Sequence, residues 1–150
     1  MPLILASATI AAGQSFACTP IAVWDGDGPI WCAEGPRIRL AGIAAREIDG
    51  SCRSYHPCPA VSGPAARAAL VALLGRPVGR RSSGHVLVRG PALRCRSACN
   101  AKGGRTAAWC QSPSVGDLSC AMVASGHALR WASFWDEAAC RGNRREQAGR

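Results

Sequence analysis

Two carboxylates on a glycine-rich turn, Asp25 and Asp27 in "VWDGDGPIW", are the residues whose types and spacing most directly suggest chemistry. Paired acids can hold a hard cation, yet Asp and Gly are also ordinary turn formers, and the same stretch reads equally as a plain hairpin. An EF-hand loop is excluded, because Pro29 stands where a third oxygen ligand belongs. In "RIRLAGI", a period of two puts Ile38 and Leu40 on one face and Arg37 and Arg39 on the other, so Arg39 is placed to meet an anion. Cys52, His56 and Cys58 have the types of three zinc ligands, but a loop disulfide between the two cysteines is simpler.

The elements that must position these residues follow from turn and capping signals. From Cys18 to Ala45 the chain reads as three short strands, with turns at Asp25 to Pro29 and Glu34 to Pro36. "SGPAARAALVALLGRP" is the clearest helix. Ser62 caps it, Pro64 suits its first turn, Ala66, Ala69, Leu70, Leu73 and Leu74 form its apolar stripe, and Gly75 with Pro77 ends it. "GHVLVRGPALRCR" reads as a hairpin turning at Gly90 and Pro91, and "GRTAAWC" as a last strand. A second helix, capped by Asp117, runs through "LSCAMVAS"; a third, "SFWDEAACR", carries Phe134, Trp135 and Ala138 against the body of the domain. The order predicts an α+β fold, a small five-stranded OB-type barrel with about three helices.

A chain of 150 residues without an internal Pro/Gly/Ser-rich linker makes one domain, expected over residues 18–141. Residues 1–17 carry no charge and read as a signal peptide or an N-terminal extension; residues 142–150 form a polar tail. The apolar run at the N-terminus is far short of the roughly 20 residues of a membrane span. Nine cysteines, none in a C-x-x-C pair, favour disulfides over a zinc ribbon and an oxidising location, secreted or periplasmic, with one thiol left over. The net charge is +9, and no Asp or Glu occurs between Gly50 and Gly116. A basic stretch of that kind attracts a polyanion in a salt-sensitive way, although an Arg-rich coding bias gives the same composition.

Four motifs in order, "VWDGDG", "RIRLAGIAARE", "GGRTAAW" and "DLSCAMVASGHALRW", resemble the staphylococcal-nuclease-like (thermonuclease) family. The resemblance runs from about Ile21 to Trp131. It implies hydrolysis of phosphodiester bonds in DNA or RNA with low sequence preference, by an exported monomer. It also implies the roles. Asp27 falls on a Ca²⁺ ligand and Asp25 beside the metal, Arg39 and Arg105 on two phosphate-binding arginines, and Glu47 on the carboxylate that activates or orients the attacking water. Lys102 falls on a basic position near the substrate groove.

Three positions depart from the pattern. Ala44 replaces a metal-ligand Asp, Gly28 a Thr, and Arg46 a Pro. Fewer charged oxygens predict Ca²⁺ binding that is weakened or absent. Asp49 or a water could fill the gap, Arg46 could supply the missing charge, or catalysis could be lost and leave a nucleic-acid or polyanion binding module. A disulfide-rich secreted domain with a protein partner is a third, blander reading.

Overall fold

The computed structural model describes residues 9–143. Eleven strands, two α-helices and two short 3₁₀ turns build an α+β domain whose larger sheet, mixed and nine-stranded, curls into a half-barrel. The expected five strands are thus exceeded, because short pairings extend both edges. The central strands are β2 (Pro20–Asp25), β3 (Gly28–Cys32) and β4 (Arg37–Leu40), joined by the two turns read from the sequence. They are antiparallel, whereas β4 runs parallel to β9 (Arg105–Ser112). Val23, Ile30, Ile38 and Leu40 point into the core and are fully buried.

The predicted hairpin at Gly90 is not one. β7 (Val86–Arg89) pairs with β2 and with β6 (Arg76–Arg80), while β8 (Leu93–Ala101) pairs with β9 and with β1 (Ser15–Cys18). One chain path bends at Gly90 and serves both ends of the sheet. The bend presses on the helix below it: a Cβ at Gly90 would overlap the Leu74 carbonyl.

Helix α1 (Gly63–Leu74) begins where expected, the Ser62 hydroxyl accepting from Ala65 N at 3.2 Å. Its buried face includes Arg67 and Val71, while Ala69 and Leu73 are only half-buried. Helix α2 (Leu118–Ala124) is capped by Asp117, which accepts from Cys120 N at 3.0 Å. The third helix shrinks to a 3₁₀ turn at Glu137–Cys140; Phe134 and Ala138 are exposed and only Trp135 packs on the core. Strand β10 (Gly116–Asp117) pairs with β9, and strands β5 (Ile43–Ala44) and β11 (Leu129–Arg130) form a separate two-stranded ladder.

Disulfides join Cys18 to Cys32, Cys52 to Cys58, Cys95 to Cys110 and Cys120 to Cys140, and Cys99 is a free, exposed thiol. Four such bonds fit an oxidising compartment. No helix among the described residues is long and apolar enough to cross a membrane. Of the N-terminal segment, residues 1–8 lie outside the described residues and Ser15–Ala17 belong to β1. Of the polar tail, residues 144–150 lie outside them, and Asn143 packs on α2's cap, accepting from Asp117 N at 2.9 Å.

Candidate functional site

The turn between β2 and β3 buries both of its carboxyl groups, Asp25 at 3% and Asp27 at 8% exposure. Asp25 Oδ1 accepts from Asp27 N at 3.2 Å, a local Asx-type turn. Gly28 follows at φ +110°, a conformation strained for any residue that carries a Cβ. The Asp27 carbonyl accepts from Leu40 N at 2.8 Å and so ties the turn to β4.

Arg39, from the outward face of β4, reaches across this turn. Its Nη2 lies 3.3 Å from Asp27 Oδ2 and donates to Ile43 O at 3.1 Å; its Nη1 donates to Leu40 O at 3.3 Å. Asp27 Oδ2 also accepts from Ala45 N at 3.2 Å. Asp27 thus meets a backbone amide beside Ala44, which is itself fully buried.

Glu47 sits in the loop after β5, Oε1 3.3 Å from Arg53 Nε. Arg53 lies inside the small loop closed by the Cys52–Cys58 disulfide. Arg105 opens β9 immediately after the Lys102–Gly104 turn. Asp25, Asp27, Arg39, Glu47 and Arg105 line one pocket of about 60 Å³, whose wall also includes Trp24, Arg53 and His56. Lys102 stands in an adjoining cavity of about 400 Å³ that shares Arg39, Arg53, His56 and Arg105 with it. Arg46 and Asp49 lie elsewhere. Arg46 donates to Pro59 O and Gly50 O, Asp49 is held by Ser51, and neither lines the pocket.

Burial, then the hydrogen bond and negative charge of Asp27 and the charge of Glu47, push the Asp25 carboxyl up to about 10. At neutral pH it keeps its proton. The remaining ionised groups on the wall are Asp27 and Glu47 against Arg39, Arg53 and Arg105, an excess of one positive charge that suits an anion. His56, packed against Trp131 with ring centroids 4.3 Å apart and planes tilted by 48°, is pushed down by burial and then by Arg39.

Arg53 was not legible as a residue of this pocket, and His56 entered the sequence reading only as a zinc-ligand type beside Cys52 and Cys58; what places both is the short disulfide loop that follows Glu47. Arg67 was missed as well. This guanidinium, 7% exposed in the middle of α1, donates to Trp24 O at 3.1 Å and Gly84 O at 3.2 Å, and holds the end of β2 from behind.

A buried carboxyl, Asp25, with no ion-pair partner among the described residues stands next to a second carboxylate, which is the chemistry a hard divalent cation relieves. Among the described residues no group of three or more His, Cys, Asp or Glu is arranged to hold a metal. A cation there would have to displace the Asp25 proton and take its remaining oxygens from outside the side chains. No family model matches this chain, and no curated protein and no solved structure matches it.

Proposed function

We propose that the protein is an exported hydrolase of phosphodiester bonds in DNA or RNA, a divergent member of the staphylococcal-nuclease-like family with an OB-type barrel. The observation that carries this reading is the wall of one pocket shared by Arg39, Arg105 and Glu47, brought from β4, β9 and the loop after β5. The OB-type assignment is supported by the curled order β8-β9-β4-β3-β2-β7, whose end strands β7 and β8 follow each other directly in the chain at the Gly90 bend.

A phosphodiester entering the pocket meets two guanidinium groups, whose planar forks hold its oxygens and stay charged at any working pH. Glu47 accepts a proton from a water as that water's oxygen bonds to phosphorus. The ester P–O bond then breaks, and the leaving oxygen is protonated by solvent. The charge that builds on the equatorial oxygens falls between Arg105 and Arg39, whose hydrogen bonds to Leu40 O and Ile43 O hold its plane in advance of the reaction. Arg53 keeps the Glu47 carboxylate turned toward the pocket. A divalent cation held by Asp25 and Asp27 would add Lewis-acid charge at the phosphate.

Ala44 favours a second reading, in which the fold binds nucleic acid and no longer cuts it. Incubation of the oxidised protein with single-stranded DNA, duplex DNA and RNA, with Ca²⁺ or with EDTA, separates the two. Cleavage lost in Glu47→Gln and Arg105→Ala supports the hydrolase, whereas salt-sensitive binding without any cleavage supports the module.

A further inference from the structure

The outer face of the sheet beside the pocket carries a second concentration of cations. Trp31 on β3 is covered by two guanidinium groups, Arg37 Cζ at 4.3 Å and Arg81 Cζ at 4.9 Å from its ring centroid. His85 packs against the same ring at 4.4 Å and against Trp24 at 4.9 Å, and Trp24 is part of the pocket wall. The cluster is therefore continuous with the candidate site.

Register explains why these groups share a face. Trp31 lies opposite Arg37 across β3 and β4, and Ile38 lies opposite Thr106 across β4 and β9, so Arg37 and Arg105 occupy equivalent outward places on neighbouring strands. Arg81 joins them from a tight loop, its amide donating to His85 O at 2.9 Å and its carbonyl accepting from Gly84 N at 2.9 Å.

Charge on this face is uncompensated. Arg37, Arg81 and Arg105 form no ion pair with a described residue, whereas the four ion pairs that do form involve Arg39, Arg53, Arg96 and Arg130. Burial first, then Arg81, Arg37, Arg67 and Arg105, push His85 below its ordinary value, which disfavours its charged form. Trp31 Nε1 is buried without an acceptor, so no hydrogen bond of that group fixes the ring, which serves as a flat support for the two guanidinium groups.

We propose that this face is a track for single-stranded nucleic acid, on which Arg37 and Arg81, held over Trp31, bind phosphates of the strand whose neighbouring phosphate occupies the pocket. The proposal deepens the hydrolase reading and rests on it for the position of that neighbouring phosphate. Cations interleaved with aromatic rings are the composition of surfaces that follow an unpaired strand, where phosphates meet arginine and bases can lie against rings. A duplex hides its base faces and gains nothing from the Trp24 ring or from the guanidinium planes held over Trp31, on which an unpaired base can lie.

Binding is measured by fluorescence anisotropy in EDTA, on the Glu47→Gln protein, so that cleavage plays no part. The probe is labelled oligothymidylate of about a dozen nucleotides, within the span such surfaces cover. Paired Arg37→Ala and Arg81→Ala substitutions are compared with paired Arg94→Ala and Arg141→Ala, which remove the same charge from exposed positions outside the track. The track pair is expected to weaken binding about tenfold and to flatten the salt dependence by about 1.4, at about 0.7 per lost single-strand phosphate contact. A thymidine dinucleotide, with one phosphate for the pocket, is expected to bind both paired variants alike.

Equal effects of the two pairs on the long probe would overturn the track. Tighter binding of a duplex than of the single strand would overturn its single-strand character, and equal dependence of a heparin fragment on Arg37 and Arg81 would overturn its nucleic-acid character. Failure of the hydrolase reading has a different signature: the Glu47-bearing protein with Ca²⁺ would cut nothing while the Arg37 and Arg81 effect persisted.

Discussion

Arg39 Nη2 stands 3.3 Å from Asp27 Oδ2, so the cation that would meet a phosphate is held by the carboxylate that would otherwise repel it. The same guanidinium donates to two backbone carbonyls, Leu40 O and Ile43 O, and its plane is fixed before any ligand arrives. Replacing Arg39 by Ala removes the fork and leaves Asp27 without its counter-charge. The expected loss in kcat is about 10²–10³-fold, the usual cost of one preorganised charge-stabilising donor. Arg39→Lys cannot span the same acceptors and is expected to recover only part of the activity. Steady-state cleavage of a labelled oligonucleotide measures both.

Asp25 supplies a pH-dependent test of the buried carboxyl pair. Its value is raised from the ordinary carboxyl range to about 10. Between those limits the folded chain holds a proton that the unfolded chain has lost, so this group's contribution to stability is full at low pH and falls as pH rises through the window. Asp25→Asn keeps an oxygen for Asp27 N and has nothing to titrate. The variant is expected to equal the parent in acid, exceed it increasingly toward alkaline pH, and show a flatter profile in urea denaturation. Parallel profiles would contradict the assignment.

The loop closed by Cys52 and Cys58 has a positioning role distinct from fold stability, because it sets Arg53 against Glu47. Arg53→Ala is expected to lower kcat while thermal stability stays close to the parent's, since the pair is partly solvated and such ion pairs contribute about 0–1 kcal/mol. A Cys52→Ser, Cys58→Ser double variant is expected to lower kcat in the same way, as measured by cleavage kinetics beside a melting curve.

At the bend between β7 and β8, Gly90 has no room for a methyl group against the Leu74 carbonyl. Gly90→Ala is expected to destabilise the domain by about 1–3 kcal/mol, as overpacking does. Chemical denaturation gives the value directly.

One thiol, Cys99, is free and exposed. Alkylation without reductant is expected to add one label to the folded chain, against nine after reduction and unfolding. Intact mass distinguishes this from any other pairing.

Much of what positions the site is local and was therefore readable. The Asp25 turn, the alternation that turns Arg39 outward, and the Ser62 cap are each set by neighbours within a few residues. What was not readable depends on distant partners. β7 and β8 look like a hairpin because Gly90–Pro91 is a strong turn signal, but pairing with β2 and β9 outweighs it. β6 has no apolar alternation and exists only because its backbone completes β7 at an exposed edge. Arg67 interrupts the apolar stripe of α1, and its burial makes sense only once the Trp24 and Gly84 carbonyls are seen beneath it.

The central claim is that Glu47 acts on a phosphodiester held by Arg39 and Arg105. Single-turnover cleavage of a saturating labelled oligonucleotide by the parent and by Glu47→Gln, with affinity measured in parallel, tests it most directly. The account predicts product from the parent and a cleavage rate reduced about 10²–10⁴-fold in the variant at nearly unchanged affinity. Equal rates from the two proteins, or no product from either, would contradict it.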